Sequence, residues 1–266
     1  MKATRARRII QITVFIGMFI IPLLNLLEIY FIKGTFISMD IGSLGIADPV
    51  MIFQALLSGM SAAGVLLVSV VIPLLLVLFF GRVWCSWACP YTLILQLAER
   101  LPFLRKRILS NKAKATANNF RVRLLRYAVF IGFFVLVGIA GVPILHLFSP
   151  PAVISTQALL LVKTAALSVE LLFIVVILVI DLRFSYRFTC RVLCPTGTCL
   201  SLFKTSKSLQ VQYAGECSNC GACVKACPMK LDPKQESGDR LCYNCGECIE
   251  ACQDASKPLK WGFGEK

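Results

Sequence analysis

Between residues 1 and 205, long uncharged apolar runs alternate with short charged segments. Four runs, 9–31, 62–80, 125–148 and 167–182, are long enough to cross the ~30 Å hydrocarbon core of a bilayer as helices. The first continues through Asn25 and Glu28 with no small-residue cleavage site, so it is expected to be retained and not removed as a signal peptide. The fourth carries Glu170 and Asp181 near its ends. Two shorter apolar segments, 49–57 and 151–161, precede the second and fourth runs and are expected to lie in the outer interface or dip into it. Beyond residue 205 the apolar runs stop and cysteine and glycine set the pattern. The division is a four-helix transmembrane domain, 1–205, followed by a small cysteine-rich domain, 206–266.

Composition agrees with a membrane protein. Of 266 residues 57% are hydrophobic and only 16% charged, with a mean hydropathy of +0.76. The 28 Lys and Arg are unevenly spread. Four precede the first run, ten lie from Arg82 to Arg126 and twelve follow the fourth, whereas the other two loops hold only Lys33 and Lys163. That asymmetry places both termini in the cytoplasm. The net charge of +14 then reflects topology and attraction to anionic lipid, not nucleic-acid binding; the basic loop 100–126 reads as a solvated, lipid-facing segment. Thirteen cysteines on a reducing face point to metal in preference to disulfides.

The two helix pairs repeat. Arg82 stands three residues before Cys85-x3-Cys89-Pro90, and Arg187 three before Cys190-x3-Cys194-Pro195, each at a membrane exit. Gln54-Ala-Leu-Leu57 and Gln157-Ala-Leu-Leu160 precede the even helices. These features predict two parallel-repeat hairpins related by an axis along the membrane normal. On a continuous helix Cys85 and Cys89 would share a face, as would Cys190 and Cys194. Brought together, the four form a candidate third redox or metal site; the alternative is that they pack as small apolar side chains.

The tail holds the most specific signal. Cys217-x2-Cys220-x2-Cys223-x3-Cys227 is followed by Cys242-x2-Cys245-x2-Cys248-x3-Cys252. In two-cluster ferredoxins the fourth cysteine of each run ligates the other cluster. The expected sets are Cys217, Cys220, Cys223 with Cys252, and Cys242, Cys245, Cys248 with Cys227, each around a [4Fe–4S] core. Gly221 and Gly246 fall where the backbone approaches the core and positive φ is wanted. A zinc ribbon would need four ligands, not two runs of four. The fold class expected is therefore mainly α, with a C-terminal bacterial two-[4Fe–4S] ferredoxin-like domain.

Ionisable groups at membrane depth are functional candidates. His146, the single histidine, is a candidate to take a proton from quinol; Glu28 and Glu170 near the same outer surface are further quinone-binding candidates. Each is equally readable as an interfacial side chain, and Asp48 before Pro49 as a turn residue. One histidine cannot supply both axial ligands of a b-type haem. No phosphate-binding loop, dinucleotide fingerprint or nucleophilic triad is present, so nothing points to NAD or flavin.

The Gly-Arg-Val-Trp-Cys-Ser-Trp-Ala-Cys-Pro run at 81–90, the second Cys-x3-Cys-Pro at 190–195 and the two ferredoxin motifs together resemble the NapH/MauN group of ferredoxin-type membrane proteins. The Ala-Asp-Pro-Val word at 47–50 and Trp261-Gly-Phe-Gly264 also look like that group. The resemblance implies a quinol dehydrogenase component in the bacterial inner membrane. Its electrons would pass from the quinone pool toward a periplasmic reductase, nitrate reductase among them, through a periplasmic ferredoxin-like or cytochrome partner. Some relatives implied by the resemblance are copper-reducing assembly factors, and thiolate pairs suit Cu(I). A maturation factor for a metalloenzyme is thus the alternative.

Overall fold

The computed structural model describes residues 2–28, 32–41, 44–57, 63–114, 119–141, 144–183, 186–254 and 256–264. Helix α1, Lys2–Leu26, ends where Glu28 turns left-handed at φ +61°. It is followed by a three-stranded antiparallel sheet, β1 Ile32–Thr35, β2 Ser38–Ile41 and β3 Leu44–Ala47, in sequence order. Then come α2 Pro49–Leu57 and α3 Ala63–Phe80, with α4 Val83–Trp87, α5 Pro90–Ala98 and α6 Pro102–Lys114 after them. The second repeat is α7 Asn119–Ala140, α8 Pro150–Thr164, α9 Glu170–Arg183, a π-helical turn Thr189–Leu193, and α10 Pro195–Phe203. The tail is closed by β4 Leu209–Tyr213 pairing antiparallel with β5 Leu259–Phe263, and carries α11 Ala222–Ala226 and α12 Glu247–Ala251.

Two helices among the described residues are long and apolar enough to cross a membrane, Ala3–Leu26 and Phe120–Ala140, where the sequence pattern suggested four. The boundaries moved for identifiable reasons. The first run stops at Leu26, short of 31. The third starts at Asn119, not 125, and ends before Gly141, whose φ of +63° leaves the helix, so His146 sits in a turn beyond it. In the fourth, Ala165 at φ +51° caps α8, and the Ser168 N–H is bonded by Gln157 Oε1 at 3.3 Å, so α9 begins only at Glu170. Its 14 residues rise ~21 Å, less than the hydrocarbon thickness. The apolar part of α3, Leu67–Phe80, is also shorter than a full span.

All four helices nevertheless turn large apolar side chains outward: Ile9, Ile12, Ile16 and Ile20 on α1, Leu67, Val71 and Phe79 on α3, Ile131, Val135 and Ile139 on α7, Leu172 and Val176 on α9. Ile139 is 81% exposed. An apolar exterior on this scale marks a membrane or partner surface.

Packing inside follows the repeat, with the halves exchanged. α5, which follows the first Cys-x3-Cys-Pro, packs on α8 of the second half; α10, which follows the second, packs on α2 of the first. Cys89, Tyr91 and Leu95 share a core with Val153, Ile174 and Ile177, and Cys199 shares one with Val50, Val137 and Leu145. The shared glutamines have a role in this arrangement. Gln54 Oε1 accepts from Leu145 N at 3.0 Å and Gln157 holds Ser168, so each buried amide pins the turn ahead of a helix.

Candidate metal centres

The prolines decide the local geometry of the Cys-x3-Cys-Pro words. A residue before proline is pushed out of the helical region. Cys89 and Cys194 accordingly adopt ψ of 120° and 114°, and Pro90 and Pro195 open new helices. The expectation that each cysteine pair shares one helix face is corrected here: Cys85 lies on α4 and Cys190 on the π-helical turn, while Cys89 and Cys194 are the N-caps of α5 and α10. A thiolate at a helix N-terminus faces free N–H groups; Gly197 N donates to Cys194 Sγ at 3.5 Å.

The four come together. Cys89 is an electrostatic neighbour of Cys85, Cys190 of Cys89 and Cys194, and Cys194 of Cys85 and Cys89. Asp181 supports this set from α9: Oδ1 accepts from Thr189 N at 3.0 Å and Oδ2 from Tyr91 Oη at 2.9 Å, tying the π-turn to α5.

Two wholly buried guanidiniums, Arg82 and Arg126, adjoin the set. Neither is among the ion pairs of the described residues, and Arg82 Nε and Arg126 Nη1 lack hydrogen-bond partners. A Cβ on Gly197 would stand 3.1 Å from Arg82 Nη2, 3.8 Å from Arg126 Nη2 and 3.8 Å from Cys194 Sγ, so the three groups converge there. Buried cations without carboxylates call for an anion. Four thiolates around an iron–sulfur core remain a net anion, which fits. Arg126 had read as part of a solvated basic loop; it lies instead on α7, and its position at the end of an apolar run was the available signal.

The tail cysteines line two cavities. One is bordered by Cys227, Cys242, Cys245 and Cys248, the other by Cys217, Cys220, Cys223 and Cys252, the crossed sets expected from spacing. Gly221 and Gly246 take φ of +69° and +76° and begin α11 and α12. Burial, with Cys242 alongside, pushes the Cys227 thiol up to about 11, and burial likewise raises Cys245. Without metal these sulfurs keep their protons; iron replaces them. Among the described residues no three His, Cys, Asp or Glu side chains are grouped closely enough to hold a single ion.

One loop of this domain is clamped to the helices. Arg82 Nη1 donates to Leu241 O at 3.0 Å and Arg240 O at 3.3 Å, and Arg187 Nη1 to Tyr243 Oη at 3.0 Å while Nη2 reaches Glu99 at 2.8 Å. The repeated arginines thus grip the same turn. Ser86 Oγ donates to Tyr243 O at 2.6 Å, Trp87 Nε1 to Asn244 O at 3.1 Å, Arg7 Nη1 to Cys245 O at 2.9 Å and Lys204 Nζ to Asp239 O at 2.9 Å. As a result Cys85 and Cys190 pack against the core formed by Met229, Leu241, Tyr243 and Cys245.

Of the quinone-binding candidates, His146 and Glu170 meet, Nδ1 to Oε1 at 3.9 Å, and His146 Nε2 lies 3.1 Å from Thr156 Oγ1. Glu28 stands exposed in the turn that follows α1.

Two segments of the chain match known protein families. A family described as "4Fe-4S binding domain" matches residues 62–112, which contain Cys85 and Cys89, and one described as "4Fe-4S dicluster domain" matches 198–264. The methylamine utilization ferredoxin-type protein MauN of Methylobacillus flagellatus is 29% identical over 72% of this chain and 64% of its own length. MauN of Paracoccus denitrificans is 29% identical over 75% and 67%. The ferredoxin-type protein NapH of Escherichia coli is 27% identical over 69% and 60%. The chain therefore spans about two thirds of the length of the curated relatives it matches. No solved structure matches it significantly. Two helices of spanning length and these homologues point to a membrane protein. The chain thus carries two segments that match 4Fe–4S binding domains and is similar over most of its length to the ferredoxin-type proteins MauN and NapH.

Proposed function

We propose that the chain is a quinol dehydrogenase component of the bacterial inner membrane, with both termini and the ferredoxin-like domain in the cytoplasm. It would pass electrons from the quinol pool toward a periplasmic acceptor through a ferredoxin-like or cytochrome partner. NapH and MauN relatives leave the terminal system as either a nitrate reductase or an amine-oxidising one. The observation that carries the reading is the succession of cysteine sets. The Cys85, Cys89, Cys190, Cys194 set packs on the Cys227, Cys242, Cys245, Cys248 set, and that one shares α11–α12 contacts with Cys217, Cys220, Cys223, Cys252. Bound clusters supply one-electron carriers at these places. The protein's part is to fix their spacing, which Arg7, Arg82, Arg187 and Lys204 do by clamping the 239–247 loop; in the outermost set Cys220 is exposed. The charge asymmetry of Lys and Arg supports the orientation.

The test is anaerobic purification followed by metal, sulfide and EPR analysis. The dicluster domain should hold about eight iron and eight acid-labile sulfide. Further iron lost on Cys85→Ser or Cys190→Ser would place a cluster at the membrane-edge set. Stoichiometric copper there would move the chain to the metal-handling class. A reduced protein obtained with a menaquinol or ubiquinol analogue supports the reading, and clusters that no quinol reduces refute it.

A further inference from the structure

Beside the membrane-edge cysteines lies an apolar cavity of about 200 Å³. Its walls include Phe36, Val77, Trp84 and Trp87, with Phe36 stacked on Trp84 at 5.2 Å between ring centroids. Trp84 and Ala88 on its lining directly precede Cys85 and Cys89, and Thr196 follows Cys194 by two residues. Its polar lining side chains are Asp48 and Thr196, both buried. Asp48 Oδ1 accepts from Val50 N at 2.9 Å, capping α2, and Oδ2 accepts from Thr196 Oγ1 at 2.7 Å. Thr196 Oγ1 is also 2.9 Å from Ser149 Oγ.

Asp48 is held in place by the Val50 N–H and the Thr196 hydroxyl, and a carboxylate can accept more than two hydrogen bonds, so it keeps acceptor capacity for a donor entering the apolar, aromatic-walled cavity. The occupant must be apolar over most of its surface, flat enough to lie against indole and phenyl rings, and able to present one hydroxyl or carbonyl to the Asp48–Thr196 pair. A dry cavity of about 150 Å³ accepts a benzene ring, so this one has room for a substituted ring. We infer that the cavity binds the ring of a membrane quinol, one hydroxyl donating to Asp48 and the ring packed against Trp84 beside the membrane-edge cysteine set. The inference rests on the quinol reading above and gives that substrate a site. The polar chain from the cavity runs Asp48, Thr196, Ser149, and Ser149 N donates to His146 O at 3.1 Å, so the chain ends at the turn that holds the His146–Glu170 pair. His146, Glu170 and Glu28 do not line the cavity.

The experiment uses the full chain in lipid nanodiscs. A short-chain photoreactive azidoquinone should label the 73–88 peptide, and a short-chain hydroquinone analogue should quench tryptophan fluorescence. Val77→Phe, which fills the cavity without touching charge, should abolish both signals. Asp48→Asn keeps a residue that caps helices well and should weaken the hydroquinone about tenfold or more. It should leave the dimethyl ether of the same ring, which has no hydroxyl to donate, nearly unchanged. Labelling confined to 144–170, binding unaffected by Val77→Phe, or no labelling at all overturns the site. The two readings fail separately. Quinol-reducible clusters with labelling elsewhere remove the cavity and keep the proposed function. A labelled cavity with clusters that quinol cannot reduce does the reverse.

Discussion

Replacing Arg82 by Met removes one positive charge at the junction of two cysteine sets while keeping the aliphatic stem. The guanidinium donates to the carbonyls of Arg240 and Leu241 and faces Cys194 across Gly197. Hydrogen bonds from a charged donor contribute about 1.5–3 kcal/mol each, so losing both bonds to the 240–241 turn costs about 3–6 kcal/mol. Arg187, Arg7 and Lys204 still hold neighbouring residues, and the domain should stay docked. The electrostatic effect is separable. Two unit charges interact by about 4 kcal/mol at 4 Å with an effective dielectric near 20, falling inversely with distance. With about 59 mV for each 1.4 kcal/mol of a one-electron couple, a cation anchored one residue from Cys242 raises the adjacent potential by on the order of 50–100 mV. EPR-monitored titration of Arg82→Met should therefore show the Cys242 set falling by that amount, with the Cys217 set moving much less. Arg82→Lys should restore part of the shift. Potentials of both sets unchanged within about 20 mV would refute the argument that Arg82 acts as a counter-charge.

Three other outcomes follow from the geometry. Cys252→Ser should damage the cluster site shared with Cys217, Cys220 and Cys223, and Cys227→Ser the one with Cys242, Cys245 and Cys248; EPR of the two reduced variants would show the reverse pattern if each run closed its own site. Gly246→Ala places a Cβ 3.0 Å from the Trp261 ring at φ +76°, which should cost at least about 1–2 kcal/mol and lower the thermal midpoint by several degrees, read by calorimetry. Gln54→Ala leaves the Leu145 amide without its acceptor, costing about 1–3 kcal/mol and speeding hydrogen exchange at that amide; unchanged exchange would remove Gln54 from its pinning role.

The ferredoxin-like part could be read from spacing because its chemistry is local. A Cys-x2-Cys-x2-Cys loop and its glycine define a site within ten residues, and the crossed fourth cysteine follows from the same constraint. The repeat was also legible, since Arg82 and Arg187 keep their offset from the cysteines, although the common turn that they grip lies at 240–243, far along the chain. Long-range partners of this kind leave no periodic trace. Helix ends were less legible because hydropathy continues through residues that the backbone excludes. Leu27 is as apolar as its predecessors, yet the chain has left the helix by Glu28. The sheet 32–47 went unread because its short strands sit between apolar runs that dominate the pattern. Proline was read as a stop or a start; only the fold shows that it starts α5 and α10, leaving Cys89 and Cys194 as caps.

The charge asymmetry of the sequence leads one to expect the cysteines on one side of the membrane and 49–57 and 151–161 on the other, with about 30 Å between the iron–sulfur sites and an outer acceptor. The packing closes much of that gap. Thr196, two residues after Cys194, bonds Asp48 at the head of α2 and Ser149 at the head of α8, and Phe36 from the β1–β2 turn stacks on Trp84 beside Cys85. The segments assigned to the outer side thus fold back onto the cysteine words. Backbone of this irregular kind is tolerated at membrane depth where protein buries it, and the buried residues of α2 and α8 meet that condition. On that expected topology the membrane-edge set would stand between the two sides; it has the ferredoxin-like domain clamped against one flank and the Asp48 cavity beside it. Arg82 and Arg126 adjoin these cysteines and are in none of the ion pairs of the described residues, which fits an anionic core held there beside the buried Asp48 and Asp181.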